Sequence, residues 1–230
     1  MPVPDLPDWV GPVARYMAEE GLKGTLRIAA ISLVASALIG VSLGTLLTIR
    51  FLPSRALIRL YIEVWRGLPI IVTIFIIFFV LPTLGERFKF DPFTSAAIGL
   101  SLWGSAQVAE ATRGAVQSIP REQHEAASAL GFGWVGRHVF VILPQAFRRL
   151  LPPLVSLLVN ILQNTTLAQV IGASELLETG KRSVERLTFP PPAGLGQVHA
   201  IEIYGAVMVV FFLISFPLTR LAAFLERRLV

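Results

Sequence analysis

A chain of 230 residues that is 54% hydrophobic and only 15% charged is too apolar for an ordinary soluble domain. Its formal net charge of +5 is spread between apolar runs, which points to membrane orientation and away from nucleic acid. The absence of cysteine excludes disulfides and thiolate centres, and His124, His138 and His199 form no pair at helical spacing from which to build a metal site.

Charge-free stretches at Ile28–Ile49, Leu68–Gly85, Pro92–Ala109, Leu150–Ser174 and Ile203–Thr219 approach or exceed the roughly 20 residues that cross a bilayer core, so five spans are expected. Met1 is followed by Pro2, Pro4, Asp5, Pro7 and Asp8, which has neither the basic start nor the short apolar centre of a cleaved signal peptide. The mature chain is therefore expected to begin here. Residues 1–20 read as an external leader, in which Trp9, Val13, Tyr16 and Met17 alternate with Asp8, Arg15, Glu19 and Glu20. Such a pattern suits either a short interfacial helix or a solvated segment.

The first span, near residues 24–50, carries Ser36, Gly40 and Gly44 at intervals of four, a spacing that lets another helix approach closely. The second, near 56–84, opens with Arg55, Arg59, Glu63 and Arg66 on one helix face. Tyr61 and Trp65 fit the interfacial aromatic belt, and Pro69 is placed to kink the helix. The third, near 92–115, turns polar in its inner half at Ser101, Ser105, Gln107, Glu110 and Arg113. A carboxylate at that depth faces a bundle interior or an aqueous path, unless Glu110 simply pairs with Arg113 one turn on.

The fourth span, near 139–172, is interrupted by Gln163, Asn164, Thr165 and Thr166, side chains that lipid cannot satisfy. They either contact a polar solute or bond to neighbouring helices. Pro152 and Pro153 are expected to loosen its inner end. An outer loop from Ala173 to Gln197 carries a charged, helix-compatible half and then Pro190 to Pro192, which suits contact with a soluble partner. The fifth span, near 201–224, ends in Arg220, Arg227 and Arg228.

Assigning alternate loops to two faces gives one face twelve basic and five acidic residues, net +7, and the other eight and ten, net −2. The positive-inside bias places the first face in the cytoplasm, so the N-terminus is expected outside and the C-terminus inside. The stretch Glu125 to Pro144, EAASALGFGWVGRHVFVILP, is then cytoplasmic. Pro120 is placed to open a helix near 121–131, Glu122 and Glu125 suit its N-terminal half, Ala126, Ala127 and Ala129 keep it smooth, and Gly131 ends it. A helix without bulky side chains can slide into a groove on another protein.

The spacing of Glu-Ala-Ala, three residues, Gly131, nine residues and Val141-Ile142-Leu143-Pro144 resembles the cytoplasmic coupling motif of the membrane subunits of ATP-binding cassette importers. Tyr61–Pro69, Ala109–Pro120, Pro144–Pro152 and Gln163–Leu176 are similar to their polar amino acid subfamily, so the resemblance covers about Gly21 to Leu229. It implies an all-α type I permease of an ATP-driven amino acid importer in the inner membrane of a prokaryote, working by alternating access. The helix between spans three and four would be its coupling helix. Glu125, Ala126, Ala127, Leu130 and Gly131 would then seat on an ATPase subunit. Ser101, Ser105, Gln107, Glu110, Gln163, Asn164 and Thr165 are the candidates for the substrate path. The implied partners are two ATPase subunits, a second permease subunit, identical or sister, and an extracytoplasmic amino-acid-binding protein. ATP and magnesium would bind the ATPase subunits, and this chain would have no catalytic site or cofactor of its own.

Departures from the subfamily bear on the cargo. Gln163-Asn164 stands where Lys-Asp is usual, Ala106-Gln107 where Ala-Tyr is frequent, and Glu122 where glycine is common. Neutral amides in place of an ionic pair favour hydrogen bonding over charge pairing. The rival reading is an ion-gradient-driven carrier with Glu110 as an ion ligand, but no internal repeat is found. A membrane enzyme lacks a nucleophile and base pair, a metal cluster or a G-x-x-x-x-G-K-[ST] phosphate loop.

Overall fold

The computed structural model describes residues 7–48, 53, 55–189, 196 and 198–229, which are helical apart from short turns. The proline-rich start through Leu6 and the run Pro190 to Pro192 lie outside them.

Helix α1 runs unbroken from Val10 to Leu46, 37 residues, through one π-helical turn at Met17–Leu22. Pro12 falls in the first turn, where its missing N–H costs nothing, so the apolar and charged residues before Gly21 continue the first span as one rod. At 1.5 Å per residue such a rod is about 55 Å long, well beyond a bilayer core of about 30 Å.

The second predicted span is two helices, α2 (Arg55–Gly67) and α3 (Ile70–Leu84), which meet at 106°. Pro69 causes the break. It holds an extended backbone at φ −57° and ψ 136°, and its carbonyl accepts the Val72 and Thr73 N–H groups at 3.0 and 3.2 Å, so α3 starts afresh there.

Helix α4 (Pro92–Gln117) begins with Asp91, whose carboxylate accepts from the Thr94 N–H at 3.1 Å and the Thr94 hydroxyl at 2.6 Å, followed by proline at the first helical position. Next come α5 (Arg121–Ala129) and α6 (Trp134–Ile171), whose last residues, Thr165–Ile171, tighten into a 3₁₀ turn. A π turn at His138–Ile142 precedes Pro144, and the α-helix Leu143–Asn164 carries Pro152 and Pro153 without a break. Helices α7 (Leu176–Thr188) and α8 (Ala200–Leu229) complete the chain.

By length and composition α1, α6 and α8 can each cross a membrane, and the bent pair α2–α3 makes a possible fourth crossing. The third predicted span exists as α4, yet it is not one of these, because it is the buried centre of the bundle. Ala96, Leu100, Ser105, Ala106 and Ala109 are fully buried, so neighbouring helices rather than lipid solvate it and its surface need not be apolar. The lipid-like surface lies elsewhere, with Leu26, Val34 and Leu38 of α1 and Met208, Phe212 and Leu213 of α8 all exposed.

Small residues bring the second half of α1 against α4. Ser32 and Ser36 donate to the Ala97 and Ser101 carbonyls at 3.2 and 3.3 Å. A Cβ at Gly40 would lie 2.7 Å from the Ser105 carbonyl oxygen, and one at Gly44 would lie 2.6 Å from the Thr112 Cβ. The spacing of Ser36, Gly40 and Gly44 thus sets backbone-to-backbone contact, and that contact fixes which α4 faces remain free.

Candidate functional site

The seven path candidates do not converge on one point. Ser101 donates to the Ala97 carbonyl at 2.6 Å within its own helix, and fully buried Ser105 shares a 2.6 Å hydrogen bond with the Tyr61 hydroxyl of α2. Glu110 bonds to Arg113, Oε2 to Nε at 3.1 Å, in a cavity of about 210 Å³ shared with Arg59 and Glu63 of α2. This is the pairing one turn on that the spacing allows.

At the far end of α6, Asn164, Thr165 and Thr166 are satisfied locally. Asn164 Nδ2 donates to the Asn160 carbonyl at 2.7 Å, and Thr165 and Thr166 donate to the Leu162 and Gln163 carbonyls at 2.8 and 2.7 Å. Thr165 is fully buried. Here the polar residues mark the switch from α to 3₁₀ geometry.

Gln107 is different, because it faces the side of α4 away from α2. It lines a groove of about 350 Å³ between α4 and α6 with Trp103, Pro153, Ser156, Leu157 and Asn160. Ser156, Asn160 and Gln163 recur at intervals of four and three on one exposed face of α6, a helix apolar enough to cross a membrane. Ser156 and Asn160 were absent from the candidates read from the sequence. The available signal was their i, i+4, i+7 register with Gln163, masked by the apolar residues between them.

Helix α5, the expected coupling helix, has a defined start and stop. It follows Pro120, and at its other end the Phe132 N–H reaches the Ala127 carbonyl at 3.1 Å and the Gly131 N–H reaches the Ser128 carbonyl at 3.0 Å. That paired arrangement needs the left-handed backbone that Gly131 supplies at φ +84°. Ala127, only 2% exposed, faces the bundle, whereas Ala126, Ala129 and Leu130 face outward, Leu130 at 78%. Glu125 and Gly131 are also exposed. His124, turned toward α6, is held below the ordinary imidazole range by burial and by the nearby Arg137 charge.

Residues 29–230 match the model of the family described as binding-protein-dependent transport system inner membrane component. The chain belongs to this family. Among its relatives, the glutamine transport system permease protein GlnP of Escherichia coli is 36% identical over 210 residues, 91% of each chain. The glutamate/aspartate import permease protein GltJ of Escherichia coli is 31% identical over 221 residues, covering 90% of this chain and 85% of that one. A solved structure described as an amino acid ABC transporter with histidines superposes with a TM-score of 0.78 at 25% identity, covering 97% of this chain and 99% of that one. The methionine transporter MetNI, at 16% identity and a TM-score of 0.76 over 95% and 98% of the two chains, shares the fold.

This inner membrane component is therefore a multi-pass permease with the type I importer fold, and the ion-gradient carrier is set aside. Helix α5 lies between α4 and α6 in the chain and turns Ala126, Ala129 and Leu130 outward.

Proposed function

We propose that the chain forms the translocation path of an ATP-driven importer of a polar, uncharged amino acid, with glutamine the first candidate. The observation that carries this is the row Ser156, Asn160 and Gln163 on the exposed face of α6, the first two lining one groove with Gln107 of α4. In a membrane-crossing helix such groups need polar partners that lipid does not provide, and amides offer both donors and acceptors to a solute amide. Relatives named for glutamine transport support the choice of cargo.

A second permease subunit, identical or sister, faces this groove in our reading, and α5 seats on an ATPase subunit through Ala126, Ala129 and Leu130. Glu125 and Gly131 flank that face, and Ala127 supports it from behind. ATP and magnesium belong to two ATPase subunits, while a binding protein delivers solute from the side opposite α5. The end carrying α5 is cytoplasmic by the positive-inside count, and α4 and the bent pair α2–α3 complete the crossing with α1, α6 and α8.

Uptake of labelled glutamine by the reconstituted complex tests the path. Asn160→Ala and Gln107→Ala each raise the KM for uptake by about fivefold, the loss of roughly 1 kcal/mol expected for one hydrogen bond. Ser101→Ala, whose hydroxyl bonds within its own helix, leaves KM unchanged. Unaltered uptake in both amide variants refutes the groove as the path.

A further inference from the structure

A third cavity, of about 640 Å³, lies behind α5 against the ends of α1, α2 and α4. Arg55, Arg121 and Arg137 converge on it from α2, α5 and α6, with His124 and His138 beside them and Glu125 as the one carboxylate among its lining residues. The transport reading uses none of the cations. Arg55 and Arg137 are part-buried at its wall and Arg121 is exposed at its mouth, so the three border a recess that is open to solvent on one side.

Two details show that the cavity is built. Arg137 Nη1 donates to the Ser128 hydroxyl at 2.7 Å, joining α6 to α5, while its Nε is buried and has no hydrogen-bond partner among the described residues. A buried guanidinium donor ordinarily finds an acceptor. His138 is fixed by stacking on Trp134, with ring centroids 4.0 Å apart, and by Nδ1 donation to the Trp134 carbonyl at 2.9 Å. Its Nε2 lies 3.4 Å from the Thr48 hydroxyl, and burial holds the ring below the ordinary imidazole range. His124, 6.2 Å from His138 between ring centroids, is likewise held below the ordinary imidazole range by burial and by Arg137.

We propose that this cavity binds a phosphate-bearing anion, gripped by Arg55, Arg121 and Arg137, which ties α5 to the ends of the spans. Planar guanidinium forks match phosphate oxygens in pairs, and three of them from three helices define a site for a tetrahedral anion. The volume exceeds that of a bare phosphate, and Leu47, Val116 and Ile119 supply an apolar wall. Both features suit the phosphodiester of an anionic phospholipid headgroup, and free phosphate is the other source of the same chemistry. Binding would stiffen the support of α5 without touching its outward face.

The test uses the full chain assembled with its ATPase subunits. The ring of His124 is titrated by NMR in nanodiscs of phosphatidylcholine alone, in nanodiscs containing phosphatidylglycerol, and in phosphatidylcholine with millimolar inorganic phosphate at matched ionic strength. Lipid retention is followed by native mass spectrometry. Either probe raises the His124 midpoint by about one unit, because a bound anion offsets Arg137. Arg55→Gln combined with Arg121→Gln lowers retention of the effective probe by about tenfold, two charge-assisted contacts having been removed. A response to phosphatidylglycerol alone identifies a lipid headgroup, and a response to inorganic phosphate alone identifies a soluble anion. An unchanged His124 midpoint with both probes overturns the proposal, whether or not the double variant assembles.

Discussion

Glu175 shows how a single buried side chain makes an otherwise apolar fold pH-dependent. It caps α7, its two oxygens accepting from the Leu177 and Glu178 N–H groups at 2.9 and 2.6 Å, and it is fully buried. Burial pushes its carboxyl up to about 7, outweighing those two donors, and the Glu178 charge adds to the rise. Since the folded value lies above the unfolded one, its contribution to stability is fully present below about pH 4.5 and is lost as pH rises through about 7. The amount at stake is on the order of 3 kcal/mol. Thermal unfolding of wild type should therefore show stability falling between pH 5 and 8, with Glu175→Gln flattening that slope. A wild type that gains stability over the interval contradicts the assignment. Other residues show the limits of reading one at a time. The pairing of Glu110 with Arg113 was legible from a spacing of three, whereas Asn160 was not, because one amide in an apolar run looks like a defect until the facing helix places Gln107 across from it.

Among the helices, periodicity carried most where it fixed a contact and least where it had to fix an angle. The interval of four between Ser36, Gly40 and Gly44 named the α1 face that meets α4, and the structure closes that contact to backbone distance. Gly40→Leu is accordingly expected to destabilise the protein by about 3 kcal/mol or more, beyond ordinary overpacking because backbone stands in the way. A lowered unfolding temperature in detergent checks it, and an unchanged one contradicts the packing described. Pro120 and Gly131 likewise bounded α5, because each constrains the backbone locally. The turn at Pro69 was legible as an interruption, but its angle of 106° depends on what α2 and α3 each pack against. The centrality of α4 was hidden for the same reason: its serines and alanines look marginal for lipid and become ordinary once neighbouring helices surround them.

For the whole molecule, family membership joins two surfaces that do not overlap. The α4–α6 groove presents the amides we propose for the solute, and α5 presents Ala126, Ala129 and Leu130, the face we propose for an ATPase subunit. They are connected through α6, whose first turn abuts α5 and whose middle lines the groove. A displacement of α5 can therefore reach the proposed path through one continuous helix. The groove and the outward face of α5 have separate jobs in this account, so a lesion on one should spare the other. The most direct measurement is glutamine uptake into vesicles holding the full complex and its binding protein, with ATP inside and no ion gradient, comparing wild type with Leu130→Glu. Uptake is expected to require ATP and to fall by at least about tenfold in Leu130→Glu, a loss of at least roughly 1.4 kcal/mol in coupling, while the KM of the residual uptake stays unchanged. Uptake by the chain without ATPase subunits, or undiminished uptake in Leu130→Glu, would contradict it.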